Sequence, residues 1–416
     1  MMLQNIKNRL DVVAVLLVII SVGLIQSSTV LGGDQSLFVV IAQLLDSGKT
    51  LYKDLFDYKQ PGIFLFYLLA GKTFGWSDIG IHLFELGYWI LFSLILFSCI
   101  RNYSLFRADY FNSLLPLFII GAYYGNATIF HLTQLEALIN FPLFLIVWLL
   151  DRAYKTESGL FVTYLVIGVL IGIVLLSKLV FSPIIFFFLL IHFIFTLKSK
   201  DIKYIFVKQI IPLCIGFVIP LSVFLSYIFI HQIENLIVDI YFKIPTSVIA
   251  LEDQVDPERL LSSLKWFVKK MLVLLLLAAI GVFLITKKES HFFSLIIAWG
   301  VIGFLVILMQ KTSWWSYHFQ LLYVPIGVFA AVGLDFVLFH FLQRVKPSTP
   351  LIKGFLIVAI VSLVFFNQMN ELWKGAASRN NTRLYSFDYA RDDAANIIRA
   401  IKKEDSIFIC GNPRMY

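Results

Sequence analysis

Residues 160–197 read LFVTYLVIGVLIGIVLLSKLVFSPIIFFFLLIHFIFTL, and Lys178 is the only charged residue among them. Crossing hydrocarbon as a helix takes about 20 apolar residues, because only a helix or a closed barrel satisfies every backbone N–H and C=O without water. The stretch holds two such runs, Leu160 to Leu176 and Val180 to Leu197, without the period-2 alternation of barrel strands. Two membrane helices turning at Lys178 are therefore expected. Comparable runs occupy Val12 to Ser27, Ile79 to Ile100, Phe111 to Tyr124, Leu135 to Leu150, Ile210 to Ile230, Met271 to Thr286, Phe292 to Met309, Leu321 to Leu342 and Leu351 to Phe366. The expectation is an all-α polytopic membrane protein with about 11 transmembrane helices.

Composition agrees. The 416 residues are 59% hydrophobic and only 14% charged, against about 25% charged in soluble domains. Cys99 and Cys214 fall inside apolar runs and Cys410 near the C-terminus, so cysteine spacing suggests neither a disulfide framework nor a zinc site. Lys7 and Arg9 precede the first run, but no small-residue cleavage site closes it, so it reads as a retained helix. With the N-terminus in the cytoplasm, the inner loops, all short, collect fourteen basic residues against six acids. That excess equals the whole formal charge of +8. The basicity is an orientation signal, not a nucleic-acid footprint.

This orientation leaves two long loops outside, Thr29 to Asp78 and His231 to Lys270, together with the C-terminal tail. Function is expected on that face, since loops carry function on a rigid scaffold. In the first loop, Ser36 to Leu45 and Ile63 to Phe74 read as short helices lying along the interface, the former closed by Gly48. The second loop, with Lys243-Ile244-Pro245 and an acidic patch from Glu252 to Glu258, reads as a mobile connection. The domain division is a membrane module over 1–366 and an outer tail over 367–416. Within the tail, Tyr389 to Lys403 is amphipathic and Ser406 to Cys410 strand-like, which gives a small α/β unit, minimal or cut short.

Two acids stand where apolar runs meet the outer face. Asp34 follows Gly32-Gly33, and Glu136 opens the fourth run. Either could serve as a helix-end residue favoured by the dipole. A carboxylate facing lipid costs on the order of 2.5 to 3.5 kcal/mol, however, so a shared polar cavity is the stronger expectation. Lys59 and Lys178 sit at the same edge, where a lysine commonly snorkels to headgroups. Beside two carboxylates they also suit a lipid phosphate. In Lys311 to His318 the Trp pair reads as an aromatic belt, while His318 is a proton carrier, a ligand or a hydrogen-bonded core residue. No P-loop, HxxxH, CxxC or GxSxG pattern occurs.

Several segments resemble the GT-C class of polytopic glycosyltransferases, in particular the bacterial group sharing a module with protein O-mannosyltransferases and lipid A aminoarabinose transferases (families 39 and 83). They are Gly33-Asp34-Gln35-Ser36-Leu37-Phe38, then Leu51 to Gly62, Glu136-Ala137-Leu138, Leu176-Ser177-Lys178 and Tyr317 to Pro325. The resemblance covers residues 1 to about 330. It implies transfer of a sugar from a polyprenyl-phosphate donor to a glycan, lipid or protein acceptor at the outer face of a bacterial plasma membrane, with inversion. It implies Asp34 as general base, Lys59, Lys178 and Lys243 as donor-phosphate ligands, and Glu136, Tyr52, Asp57 and His318 as substrate contacts. Many relatives have a second acid where this chain has Gln35, and Lys-Pro-Pro where it has Lys59-Gln60-Pro61. One carboxylate plus a distant Glu136 is a thin ligand set for an oxygen-seeking cation. No metal or other cofactor is assigned, and a divalent ion stays an open alternative. The rival readings are a lipid-linked sugar transporter, which would carry internal repeats and midplane charges, a polysaccharide polymerase relying on outer arginines, and a receptor or scaffold.

Overall fold

The computed structural model describes residues 2–374, apart from 102, 104, 157, 250–255, 285–289, 311–313, 346 and 348. The chain runs α1 Met2–Ser27, α2 Asp34–Asp46, α3 Pro61–Phe74, α4 Asp78–Ile100, α5 over 110–126, α6 Leu135–Lys155, α7 Leu160–Ser177, α8 Leu179–Leu197, α9 Ile202–His231, α10 over 234–249, α11 Pro257–Phe283, α12 Ser290–Met309, α13 Ser316–Val345 and α14 Pro350–Val364. Among the described residues nine helices are long and apolar enough to cross a membrane. A tenth candidate is α14 joined to Phe366–Lys374 across a 57° bend. This is the architecture of an integral membrane protein. The only β pairing described is an isolated bridge, Leu51 to Leu55.

Of the eleven expected runs, Phe111 to Tyr124, which falls in α5, is not among these candidates, and Leu351 to Phe366 is among them only as part of the bent pair. Helix α5 is built from segments of seven, five and five residues, the middle one a π turn, Leu117–Gly121. Pro116 lacks the N–H that would continue the α ladder, which accounts for the wider turn. The segment is largely buried, and a Cβ on Gly327 of α13 would meet the Phe118 carbonyl at 2.9 Å. A short apolar run can be core rather than a crossing, and composition alone does not separate the two.

Close packing elsewhere depends on missing side chains. A Cβ at Gly168 of α7 would fall 2.0 Å from the Leu213 carbonyl, and one at Gly216 of α9 would fall 2.0 Å from the Leu165 carbonyl. The pair α11 and α13 meets in the same way, at Gly281 and Gly333. Without a hydrophobic force between helices in lipid, such backbone proximity is what makes van der Waals packing strong.

The loop over residues 29–78 forms the two short helices expected of it, packed into the bundle. Helices α2 and α3 form, and Gly48 closes α2 at φ +91°, with its N–H on the Leu45 carbonyl. Phe38, Phe64, Tyr67 and Ala70 are wholly buried, so the two helices pack against each other and into the bundle instead of resting on its surface. The loop over residues 231–270 differs. Residues 234–249 are helical, so Lys243-Ile244-Pro245 lies in α10, and α11 begins at Pro257 with Asp256 capping it through the Arg259 N–H at 2.9 Å. Residues 366–374 extend helically, so the expected boundary at 366/367 falls beside a bend within a helix pair. The amphipathic and strand-like parts of the tail, and residues 252–255, lie outside the described residues.

We expect Gly216→Leu to abolish the folded, monodisperse protein in size-exclusion chromatography. Gly354→Leu, at a position with nothing within 4 Å of an added Cβ, should leave the elution profile unchanged.

Candidate functional site

Helix ends from distant parts of the chain bring acids and lysines together in two linked groups. In the first, Gly33 takes the left-handed φ of +59° at the cap of α2, so Asp34 is the first helical residue and not the cap. Its carboxylate is 3.7 Å from Lys59 Nζ, and Asp57 lies 3.9 Å from the same atom. In the second, Lys178 donates to Glu136 Oε1 at 2.6 Å and to Gln310 Oε1 at 2.8 Å, with His318 Nε2 3.6 Å from Glu136. The groups meet because Gly62 presses on the end of α7: a Cβ there would stand 2.8 Å from Ser177 Cα. Burial works against the Lys59 ammonium, yet the charges of Asp57, Asp34 and, further off, Glu136 hold its pKa above the ordinary lysine value.

The expected contacts are thus partly assembled. Asp34, Lys59, Glu136, Lys178 and His318 converge. Asp34 is 39% exposed, Lys59 23% and Lys178 25%, so these three remain reachable from solvent. The Lys59 ion pairs are longer than hydrogen bonds, and its ammonium also lies over the Phe38 and Tyr58 rings at 5.0 and 4.9 Å. Tyr52 and Asp57 are buried instead and shape the loop. Tyr52, at φ +72°, donates its hydroxyl to the Lys59 carbonyl at 2.8 Å and shares a 2.7 Å hydrogen bond with Tyr241. Asp57 accepts the Lys59 N–H at 2.8 Å, and burial pushes its carboxyl up against the opposing pull of Lys59. Lys243 is 70% exposed and paired with Asp239 on its own helix at 2.5 Å.

Gln35, which departs from the resembling family, has a local reason. Its side chain accepts from the Gly32 N–H at 3.0 Å and donates to the Leu132 carbonyl. An ionised acid would set a second acceptor against that carbonyl. Gln35 therefore ties the start of α2 to the strap 128–134 that leads into Glu136. Among the described residues no cluster of three or more His, Cys, Asp or Glu is arranged to hold a metal ion.

The strap hangs from a carboxylate that sequence reasoning missed. Glu85, fully buried in α4, accepts from the Thr133 N–H at 3.0 Å, the Thr133 hydroxyl at 3.2 Å, Trp89 at 3.3 Å and Tyr123, and pairs with His82 at 3.1 Å. Thr133 sits at φ +54°, costly for a β-branched residue by about 1–3 kcal/mol. Tyr67 holds its carbonyl at 3.2 Å. The detectable signal was an acid with a His three residues before it inside an apolar run. A second buried chain joins Asp151 to His291 (3.0 Å), His291 to His192 (3.2 Å) and His192 to Tyr164 (2.7 Å), fastening α6, α12, α8 and α7.

Beside the lysines is a cavity of about 790 Å³ between α3, α6, α7 and α9. Its wall is mainly apolar, including Leu65, Leu69, Ile139 and Phe224, and it reaches Pro61, Gly62 and Ser177, next to Lys59 and Lys178. Comparison with protein-family descriptions and with curated proteins gives no match.

Two outcomes follow. Glu85→Ala leaves the Thr133 N–H and the Tyr123 and Trp89 donors without their acceptor, and should lower stability by at least about 3 kcal/mol, read as the shift of thermal unfolding in detergent. His131, on the strap and stacked on Trp266 at 4.3 Å, has its pKa pushed down to about 3 by burial and then by Lys270. Between its ordinary 6.5 and that value the unfolded chain binds a proton that the folded chain refuses, so stability falls as pH drops through this window. His131→Gln should make the decline of melting temperature from pH 7 to pH 4 shallower.

Proposed function

We propose that this protein is a membrane glycosyltransferase that moves a sugar from a polyprenyl-phosphate donor to an acceptor hydroxyl on the outer face, with the N-terminus cytoplasmic. The observation that carries the reading is the apolar cavity whose lining includes Pro61, Gly62 and Ser177, close in the chain to Lys59 and Lys178. A chain of isoprene units suits the cavity, and its phosphate would then stand at the two ammonium groups. The resemblance of the Gly33 to Phe38 and Leu51 to Gly62 segments to GT-C enzymes points the same way.

The chemistry needs few parts. The Asp34 carboxylate takes the proton of the acceptor hydroxyl as its oxygen attacks the anomeric carbon. The bond from that carbon to the phosphate oxygen breaks, and the charge left on the phosphate is met by Lys59 and Lys178. Attack opposite the leaving group inverts the anomeric configuration. Lys59 bridges the two halves, since it neighbours both the base and the leaving group. His318 and Gln310 hold the Glu136–Lys178 pair, so Lys178 can turn an N–H toward the donor without losing its anchor. A transporter would instead place its ionisable groups near the midplane, on broken repeats, whereas the site here gathers at helix ends.

Asp34→Asn should cut transfer by about 10² to 10⁴-fold while folding is retained, measured with a radiolabelled polyprenyl-phosphate sugar in nanodiscs. Lys59→Ala should raise the KM for donor and leave that for acceptor unchanged. Because Lys178→Ala alone would strand the buried Glu136 carboxylate, the informative variant is Lys178→Ala with Glu136→Gln, for which the same split is expected. Near wild-type transfer by Asp34→Asn removes it from the base role, and equal effects on both substrates refute the phosphate assignment.

A further inference from the structure

Two large aromatic side chains border Asp34 and stay open. Phe130 is 53% exposed, and its Cδ1 would meet a Cβ on Gly33 at 3.3 Å. Tyr58 is 59% exposed, with its ring centroid 4.9 Å from the Lys59 Nζ that pairs with Asp34. Trp315 is also exposed, with the Arg259 guanidinium over its ring at 4.5 Å, as the Lys59 ammonium lies over that of Tyr58. Aromatic residues of a membrane belt need only headgroups as neighbours. These two share their rim with a half-exposed carboxylate and an ammonium.

Such a rim matches one kind of molecule. A pyranose presents C–H bonds on one face, whose positive edges stack on the negative face of an aromatic ring, while its hydroxyls both donate to a carboxylate and accept from an ammonium. Asp34, Asp57 and Glu136 outnumber Lys59 and Lys178, which disfavours an anionic acceptor.

We propose that the acceptor is a neutral carbohydrate, and that Phe130 and Tyr58 stack on the sugar ring whose hydroxyl reaches Asp34; its role as acceptor rests on the glycosyl-transfer reading, but its binding does not. The stacking fixes the ring so that one hydroxyl faces the carboxylate.

The test uses the full chain in nanodiscs and saturation-transfer NMR with methyl glycosides and trisaccharides of gluco, galacto and manno configuration. Magnetisation should reach the C–H protons of one ring face most strongly. Phe130→Ala and Tyr58→Ala should each weaken binding about five- to tenfold, Phe130→Trp should restore it, and Trp315→Ala should leave it unchanged. No transfer to any probe, equal binding by the alanine variants, or a Ser/Thr peptide bound in a Phe130-dependent way would overturn the proposal. Undecaprenyl phosphate binding is measured in parallel. If it persists without sugar binding, the rim assignment fails and the donor reading stands. If sugars bind and it does not, the donor reading fails and the rim stands.

Discussion

The buried carboxylate of Glu85 sets the position of nearly everything around the site. A charge in the interior of a helix bundle is tolerated only with its lone pairs filled, and Glu85 fills them with Thr133, Tyr123, Trp89 and His82. The donors come from α4 itself, from α5 and from the strap before α6, so satisfying one carboxylate fixes three segments at once. The strap then holds the start of α2 through Gln35 and Leu132, and leads directly into Glu136. Polar groups that are expensive to strand make such a junction well defined, where apolar contacts alone would permit sliding.

From that junction the two halves of the site face each other. One half is a loop, shaped by Tyr52 and Asp57, which delivers Lys59 to Asp34; the other is a set of helix ends, which delivers Lys178 to Glu136. Gly62 lets the halves close to backbone contact with Ser177. Charge balance in this space is local, with each ammonium matched to carboxylates yet still reachable. An apolar cavity reaches Gly62 and Ser177, and the exposed rings of Phe130 and Tyr58 lie near Asp34 and Lys59.

Some residues read at the outset as site members act through others. Tyr52 and Asp57 occupy a motif that marks the loop, but burial turns their polar atoms onto the Lys59 backbone and not outward. Lys243 reads as an outer cation, yet its helical turn supplies Asp239 four residues earlier, and a short pair on one helix forms more easily than a reach across the bundle.

The sequence by itself determined the helical, membrane-spanning class, most of the helix ends, and the identity of Asp34, Lys59, Glu136 and Lys178 as charges out of place. Those signals are local: hydrocarbon thickness sets run length, and a charge beside an apolar run stands out wherever it folds. Tertiary structure alone decided that α5 is broken by a π turn and largely buried, that Asp34 pairs with Lys59 while Glu136 pairs with Lys178, and that Glu85 anchors the strap. Each of these depends on which helices become neighbours, and neighbours in space are set by close packing at glycines and by the filling of buried lone pairs, neither of which leaves a periodic mark along the chain.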